Sequence, residues 1–321
     1  MKIAFSPSVY EHAAFLIDRS PWEVSRNTDL LFKGHAKAYE LYQHTPIVVG
    51  IDIYNLEAEA YGAIVNNPGG NGIPAITKET INSTDEAKRL KTFDPMKDGR
   101  IKMVIGTGKR LAKEYPDADV RIPVSGPFSI AINLMGFENL LESIANTPAP
   151  VCDFLKQLAI NQIPFCQAVM DAGLDVAFFE SAAAPPLLSP KYFREVELPA
   201  LKYTIEQVSQ VVGHPVPCII GGDTEPILDE ILSTGTGYII CPAETDQAKF
   251  MEKFGRRTDV RVRINTNPLI IVKGSESDII AEVDRIIATA DRRPNILLGT
   301  GALPYETPPE NILLIKEYVS E

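Results

Sequence analysis

The chain has 321 residues, 45% hydrophobic and 23% charged, with a formal net charge of −11 at pH 7. That balance excludes a disordered or fibrous chain and fits a soluble enzyme with a large core, built as one large α/β domain or two smaller ones. The acidity, with a pI near 5.0, argues against nucleic acid or an anionic membrane as the main partner.

Strand-like runs alternate with helical runs from the start. Ile3–Val9 is the first strand, and MKIAFSPSVYEHAAFLI is no signal peptide, because Pro7, Glu11 and His12 break the apolar run. Pro21–Tyr42 has helical spacing, with Trp22 packed on it. Ile47–Tyr54 (IVVGIDIY) is the second strand, and Leu56–Tyr61 a short helix. Gly62–Thr77 is a Gly-, Asn- and Pro-rich excursion. Its Gly69-Gly70-Asn71-Gly72 is flexible enough for a lid but lacks phosphate-loop spacing. Lys78–Glu114 is polar and partly helical. Arg121–Pro127 is the third strand, followed by helices over Phe137–Ala145 and Asp153–Ala172.

Asp175–Phe179 is the fourth strand, and the three prolines of Ser181–Pro190 forbid regular structure after it. Ser189-Pro190 opens a helix with the apolar stripe Leu198, Leu201 and Ile205. Pro199 bends it near its start, and Gly213-His214-Pro215 ends it. Val216–Ile220, Gly237–Cys241, Val260–Asn265 and Asn295–Leu298 are strands five to eight. Between and after them come helices over Pro226–Ser233, Asp246–Phe254, Glu276–Ala290 and Pro309–Glu317. Eight strands with helical crossovers specify an α/β chain folded as a parallel (β/α)8 TIM barrel, with a doubly wound open sheet as the alternative. No linker or repeat splits residues 1–321, so one domain is expected. No apolar run approaches the roughly 20 residues that span a bilayer. Cys152, Cys166, Cys218 and Cys241 form neither a CxxC pair nor a disulfide framework, which points to the reduced cytoplasm.

SPKYFREVELPALKYTIEQV (189–208), EAEAYG (57–62) and LGTGALPYETPPENILLIKEYV (298–319) resemble the uroporphyrinogen decarboxylase superfamily, which also contains the corrinoid methyltransferases of methanogens and acetogens. The resemblance runs in matching order over nearly the whole chain. Its glycine-X-glycine, proline, Pro-Pro-Glu-Asn stretch is the more specific part. It implies the barrel fold, with the site at the strand C-terminal ends. The decarboxylases carry an arginine-rich first strand, ending Arg-Gln-Ala-Gly-Arg, that holds the substrate's carboxylates. Here the stretch reads Glu11-His12-Ala13-Ala14-Phe15, so a polycarboxylate meets repulsion instead of charge-assisted hydrogen bonds. Asp52 matches the decarboxylase aspartate, which methyltransferase members also keep. The histidine of the decarboxylases' Gly-His-Gly is Thr300. Asp-Ile followed by Glu-Ala-Glu-Ala-X-Gly is typical of the methyltransferase branch. Its thiol-activating members bind zinc at positions that are Ile219, Gly221 and Thr300 here, so that site is missing.

The resemblance therefore implies a demethylating enzyme. It would take a methyl group from a methoxylated, aromatic or similar small donor to the Co(I) of a corrinoid (cobalamin) carried by a separate protein, as a monomer or a homodimer. Two alternatives remain: a decarboxylase or other lyase acting on a less anionic acid, and a barrel that docks a corrinoid protein without catalysis.

Cleaving a methyl ether needs a Lewis acid or proton donor on the leaving oxygen. Glu180, closing the fourth strand, is the strongest candidate, as metal ligand or raised-pKa acid, against the alternative of a capping carboxylate. Cys241 ends the sixth strand as a zinc thiolate or a small buried hydrophobe. Cys218 or His12 would complete a zinc set with Glu180 and Cys241. Alternation turns Cys218 toward the helices if Ile219 and Gly221 face inward, unless a bulge near Pro217 reverses it. Without metal, Tyr10, Tyr54 or protonated Glu180 would donate the proton. Glu11 and His12 line the pocket or belong to the loop. Asp52, Arg263, Asn265, Asn267 and Thr300 orient substrate, and Asp223 and Thr224 bind an anion or substrate group. Of the Glu57/Glu59 pair one points inward, and His35, His44 and His214 read as peripheral. The acidic cluster Glu11, Asp52, Glu180 and Asp223, with Arg263 the main exception, suits a donor that is uncharged or carries at most one or two carboxylates.

Overall fold

Eight apolar runs form the staves of one parallel barrel. The computed structural model describes residues 3–320. Its barrel strands are β1 (Ala4–Ser8), β2 (Ile47–Val48), β3 (Val120–Ser125), β4 (Asp175–Glu180), β5 (Cys218–Ile220), β6 (Tyr238–Cys241), β7 (Arg261–Asn265) and β8 (Ile296–Ala302). They pair as two four-stranded arcs, β2-β3-β4-β5 and β6-β7-β8-β1. A parallel bridge between Pro217 and Tyr238 joins β5 to β6. At the other seam no ladder links β1 to β2, and the Ser6 hydroxyl donates to the Thr45 carbonyl at 2.8 Å. This is the (β/α)8 architecture expected from the order of elements.

Local chemistry sets the departures from the sequence reading. β2 stops at Val48, because the next turn is committed elsewhere: Gly50 N–H donates to His35 Nε2 at 3.0 Å, and Ile53–Asn55 closes into a 3-10 turn. β3 stops at Ser125 instead of running to Pro127, and Gly126-Pro127 opens a helix over Pro127–Met135. Proline in the first helical turn, its missing N–H harmless there, is the signal that marks it. Pro199 acts as expected but one step earlier. Lacking an N–H, it leaves the Glu195 carbonyl without its helical donor. Phe193–Glu197 widens into a π turn ahead of the Leu198–Val212 helix, and the Cys152 thiol donates to Glu195 O at 3.6 Å.

Phe128, Phe165, Phe178, Phe193 and Phe250 fill the layer between barrel and helices, all fully buried. Each contributes roughly 1.5–3 kcal/mol by leaving water. The excursion after β2 folds as a hairpin, Val65–Asn66 against Ala75–Ile76. Asn55 Nδ2 donates to its Pro74 carbonyl at 2.8 Å, and its Asn71 donates to Glu306 at 3.2 Å. Among the described residues no helix is long and apolar enough to cross a membrane.

Candidate active site

Alternation along each strand decides which side chains reach the barrel axis. Parallel register places Phe179 beside Ile219, and Ile240 beside Arg263. With Ser8 and Gly221 these four line a cavity of about 430 Å³ at the strand C-terminal ends. Tyr10, Glu11, Asp52, Tyr54, Asn265 and Thr300 line it as well, so much of the expected substrate set does come together. Tyr10 and Tyr54 meet the Phe179 ring edge to face at 6.0 and 6.2 Å, forming one aromatic wall. Burial raises the pKa of both hydroxyls, that of Tyr10 to about 12 with Arg263 pulling partly back, so both remain protonated donors.

Three carboxyls line the cavity: Glu244, exposed at its mouth, and two buried ones in different electrostatic settings. Glu11 is 9% exposed, and burial lifts its pKa to about 7. Asp52 is gripped by Arg100, with Nη2 to Oδ2 at 2.7 Å and Nη1 to Oδ1 at 3.0 Å. Burial pushes Asp52 up to about 7, in tension with that two-pronged contact; the fork at 2.7 Å decides, and Asp52 is a carboxylate. Arg100 also holds Glu59 at 2.6 Å, and Arg26 holds the same carboxylate at 2.9 Å. Glu57 points the other way and accepts from Ser125 N at 2.6 Å, so the helical pair splits as the spacing required. On β7, Arg263 Nε donates to Asn265 Oδ1 at 3.1 Å. Thr300 Oγ1 accepts from Ser8 N at 3.3 Å.

Several expected site residues lie elsewhere. Phe179 faces inward, so Glu180 faces the helices: it accepts from Phe128 N at 2.7 Å and Ser129 Oγ at 2.8 Å, capping the Pro127–Met135 helix. The capping alternative is therefore the observed one. Its neighbour Glu197, fully buried on the π turn, is pushed well up by burial and by the Glu180 charge, and carries the proton the pair shares. His12 is buried, stacked on Phe15 and Tyr42, with Nε2 2.8 Å from Tyr42 Oη and Nδ1 3.1 Å from Tyr305 O. Asp223 accepts from Thr245 Oγ1 at 2.7 Å in a loop beside the cavity, and Asn267 caps the Pro268–Lys273 helix. His35 and His44 are buried behind the barrel, and His214 pairs with Asp175 at 3.1 Å.

The expected zinc ligands do not assemble. Ile219 and Ile240 take the inward positions, which turns Cys218 toward Glu180 and Glu197, and Cys241 toward Arg285 and Asp246. No bulge at Pro217 reverses this. Among the described residues no group of three or more His, Cys, Asp or Glu has metal-binding geometry. The donor set does not fit zinc. Sequence reasoning missed Arg100, which carried no local signal. It also missed Thr266, just past the β7 alternation, which lines the cavity and whose buried hydroxyl has no hydrogen-bond partner among the described residues.

A family model described as uroporphyrinogen decarboxylase (URO-D) matches residues 8–321. Among curated proteins, the chain is 27% identical over 208 residues to "Uroporphyrinogen decarboxylase 2, chloroplastic" of Arabidopsis thaliana, covering 62% of this chain and 51% of that protein, about half its length. It is 24% identical over 278 residues to the uroporphyrinogen decarboxylase of Pelodictyon phaeoclathratiforme, covering 80% and 77%. Among solved structures, a methyltransferase from Methanosarcina mazei superposes with TM-score 0.86 at 20% identity, over 99% of this chain and 94% of that one. The β-glycosidase of Thermosphaera aggregans superposes with TM-score 0.52 at 8% identity, over 100% and 97%. At such identities the structural likeness speaks for the barrel fold.

Proposed function

The chain belongs to the uroporphyrinogen decarboxylase family, and from that premise we propose that it is a corrinoid-dependent methyltransferase of the demethylating kind. The observation that carries this reading is the charge of the cavity. Arg263 is the one cation among the described lining residues, and Glu11 stands where a polycarboxylate would need an arginine. Phe15, at the second such position, is outside the cavity, with its ring edge to face with Tyr305 at 5.4 Å. A volume of about 430 Å³ sits toward the small end of the roughly 300–1,000 Å³ typical of small-molecule sites.

In this reading the donor lies against the wall of Tyr10, Phe179 and Tyr54. Its methyl group passes to the Co(I) of a corrinoid carried by a partner protein; the methyl C–O bond breaks, its electron pair stays on oxygen, and Glu11 supplies the proton. A carboxyl poised near neutrality is suited to that task. The Tyr10 and Tyr54 hydroxyls orient the oxygen, and Asp52, fixed by Arg100, positions the donor. The partner would dock on apolar side chains exposed in segments that follow strand C-termini: Ile73, which lines the cavity, and Ile64, Leu187 and Leu269, all 46–70% exposed. The likeness to a methyltransferase of Methanosarcina mazei is consistent with this class.

A decarboxylase is the second reading, favoured by the retained Asp52 and by the names of the curated relatives. Anaerobic incubation with a reduced corrinoid protein and a panel of methoxylated compounds tests the first: methylated corrinoid and stoichiometric demethylated product are expected. Decarboxylation of uroporphyrinogen at an enzyme-like rate, without methyl transfer, overturns it.

A further inference from the structure

Among the described residues, Arg263 holds a charge in the barrel interior that no side chain of the protein neutralises. Arg263 is 5% exposed. Its Nε donates to Asn265 Oδ1 at 3.1 Å and its Nη1 to Ser8 Oγ at 2.7 Å, both neutral acceptors. Among the described residues no carboxylate forms an ion pair with it. By contrast Arg26, Arg100 and Arg121 each grip carboxylates of the chain. An unpaired buried guanidinium is strongly unfavourable unless something brings the opposite charge.

The surroundings are built around this side chain. A Cβ on Gly299 would collide with Cγ and Cδ of Arg263, so β8 keeps a glycine where the arginine crosses it. The guanidinium lies in the wall between the cavity described above and a second one of about 250 Å³ toward the N-terminal end of the barrel. It is therefore open to a ligand on the axis.

The charges of the upper cavity then sum simply. Asp52 is already neutralised by Arg100, Glu11 is near its titration point at neutral pH, and Glu244, the remaining lining carboxylate, is exposed at the mouth and screened by water. What remains is the single positive charge of Arg263, facing an aromatic wall. We propose that the substrate is a monocarboxylate with a flat aromatic body, its carboxylate seated on Arg263, Ser8 and Asn265 and its reactive end toward Glu11 at the mouth. The identity of the reactive end rests on the methyl-donor reading; the anchoring does not.

Calorimetric titration of the full chain with 2-, 3- and 4-methoxybenzoate and the matching methoxybenzamides tests this. At least one benzoate is expected to bind tenfold or more tighter than its amide. Arg263→Gln is expected to weaken that benzoate about 10–100-fold, leave the amide within twofold, and melt no lower than wild type. Arg263→Lys, with the charge but not the fork, falls between. Equal binding of benzoate and amide by wild type, a preference that survives Arg263→Gln, or no binding by any benzoate overturns the proposal. Anchored binding without demethylation sinks the methyltransferase reading alone. Demethylation of a neutral methoxyarene that ignores Arg263→Gln sinks this one alone.

Discussion

Glu11 joins burial and chemistry in one carboxyl. Its pKa, lifted to about 7 by desolvation, means that the folded state holds a proton the unfolded state has released between about pH 4.5 and 7. Stability from this group is therefore present at low pH and lost as pH rises through 7. Glu11→Gln should raise stability above pH 7 by on the order of 1–3 kcal/mol and leave it unchanged near pH 4, measured by urea denaturation at both values. The same variant should lower kcat for demethylation by about 10²–10⁴-fold and abolish the fall in rate above pH 7. A normal rate in Glu11→Gln would remove the residue from the chemistry. Glu197 titrates in the same direction but away from the cavity. Because burial and the Glu180 charge both favour its neutral form, Glu197→Gln puts a permanently neutral group of the same shape there and should fold within about 1 kcal/mol of wild type.

Among the elements, the Pro127–Met135 helix depends on Glu180 from the neighbouring strand, and Gly126 makes room for that carboxylate. Gly126→Ala would place a methyl on it and should cost about 2–4 kcal/mol, read as a lowered denaturation midpoint at unchanged m-value. Ser129→Ala, which removes one donor to Glu180, should cost about 1–2 kcal/mol. The strands and their parallel order were legible because buried parallel strands read as bounded apolar runs. Tyr10, Glu11, Asp52, Tyr54, Arg263, Asn265 and Thr300 were legible as cavity residues because they sit on or just past strand C-termini. Glu180, Cys218 and Cys241 were not, because sequence position names the strand end but not the face. That depends on which neighbour, Phe179, Ile219 or Ile240, turns inward. His12 misled for a related reason: its chain turns into a helix at that residue, and the ring is drawn under Tyr305.

Across the whole molecule, one guanidinium ties the mouth together. Arg100 links Asp52 beside the cavity to Glu59 and to the Ser25 carbonyl. Arg100→Met would leave two carboxylates short of a partner and should cost about 3–5 kcal/mol, seen as a lowered melting temperature. The apolar rim makes a separate forecast. Leu269→Asp should raise the KM for the corrinoid protein at least tenfold while leaving kcat and small-ligand affinity unchanged; an unaltered KM would mean the partner docks elsewhere. The alternation that sorts cavity residues from helix staples also constrains what the lineage can change. Along β4 the inward Phe179 and the outward Glu180 are adjacent, so the strand behaves like a reading frame. One residue inserted into Asp175–Glu180 would carry a carboxylate into the aromatic wall and a phenyl ring onto a helix terminus, losing binding and fold together. The same insertion at Gly69–Gly72, exposed at the hairpin tip, shifts no frame. Diversification of this barrel by length is thus confined to its loops, and diversification of its strands to substitution.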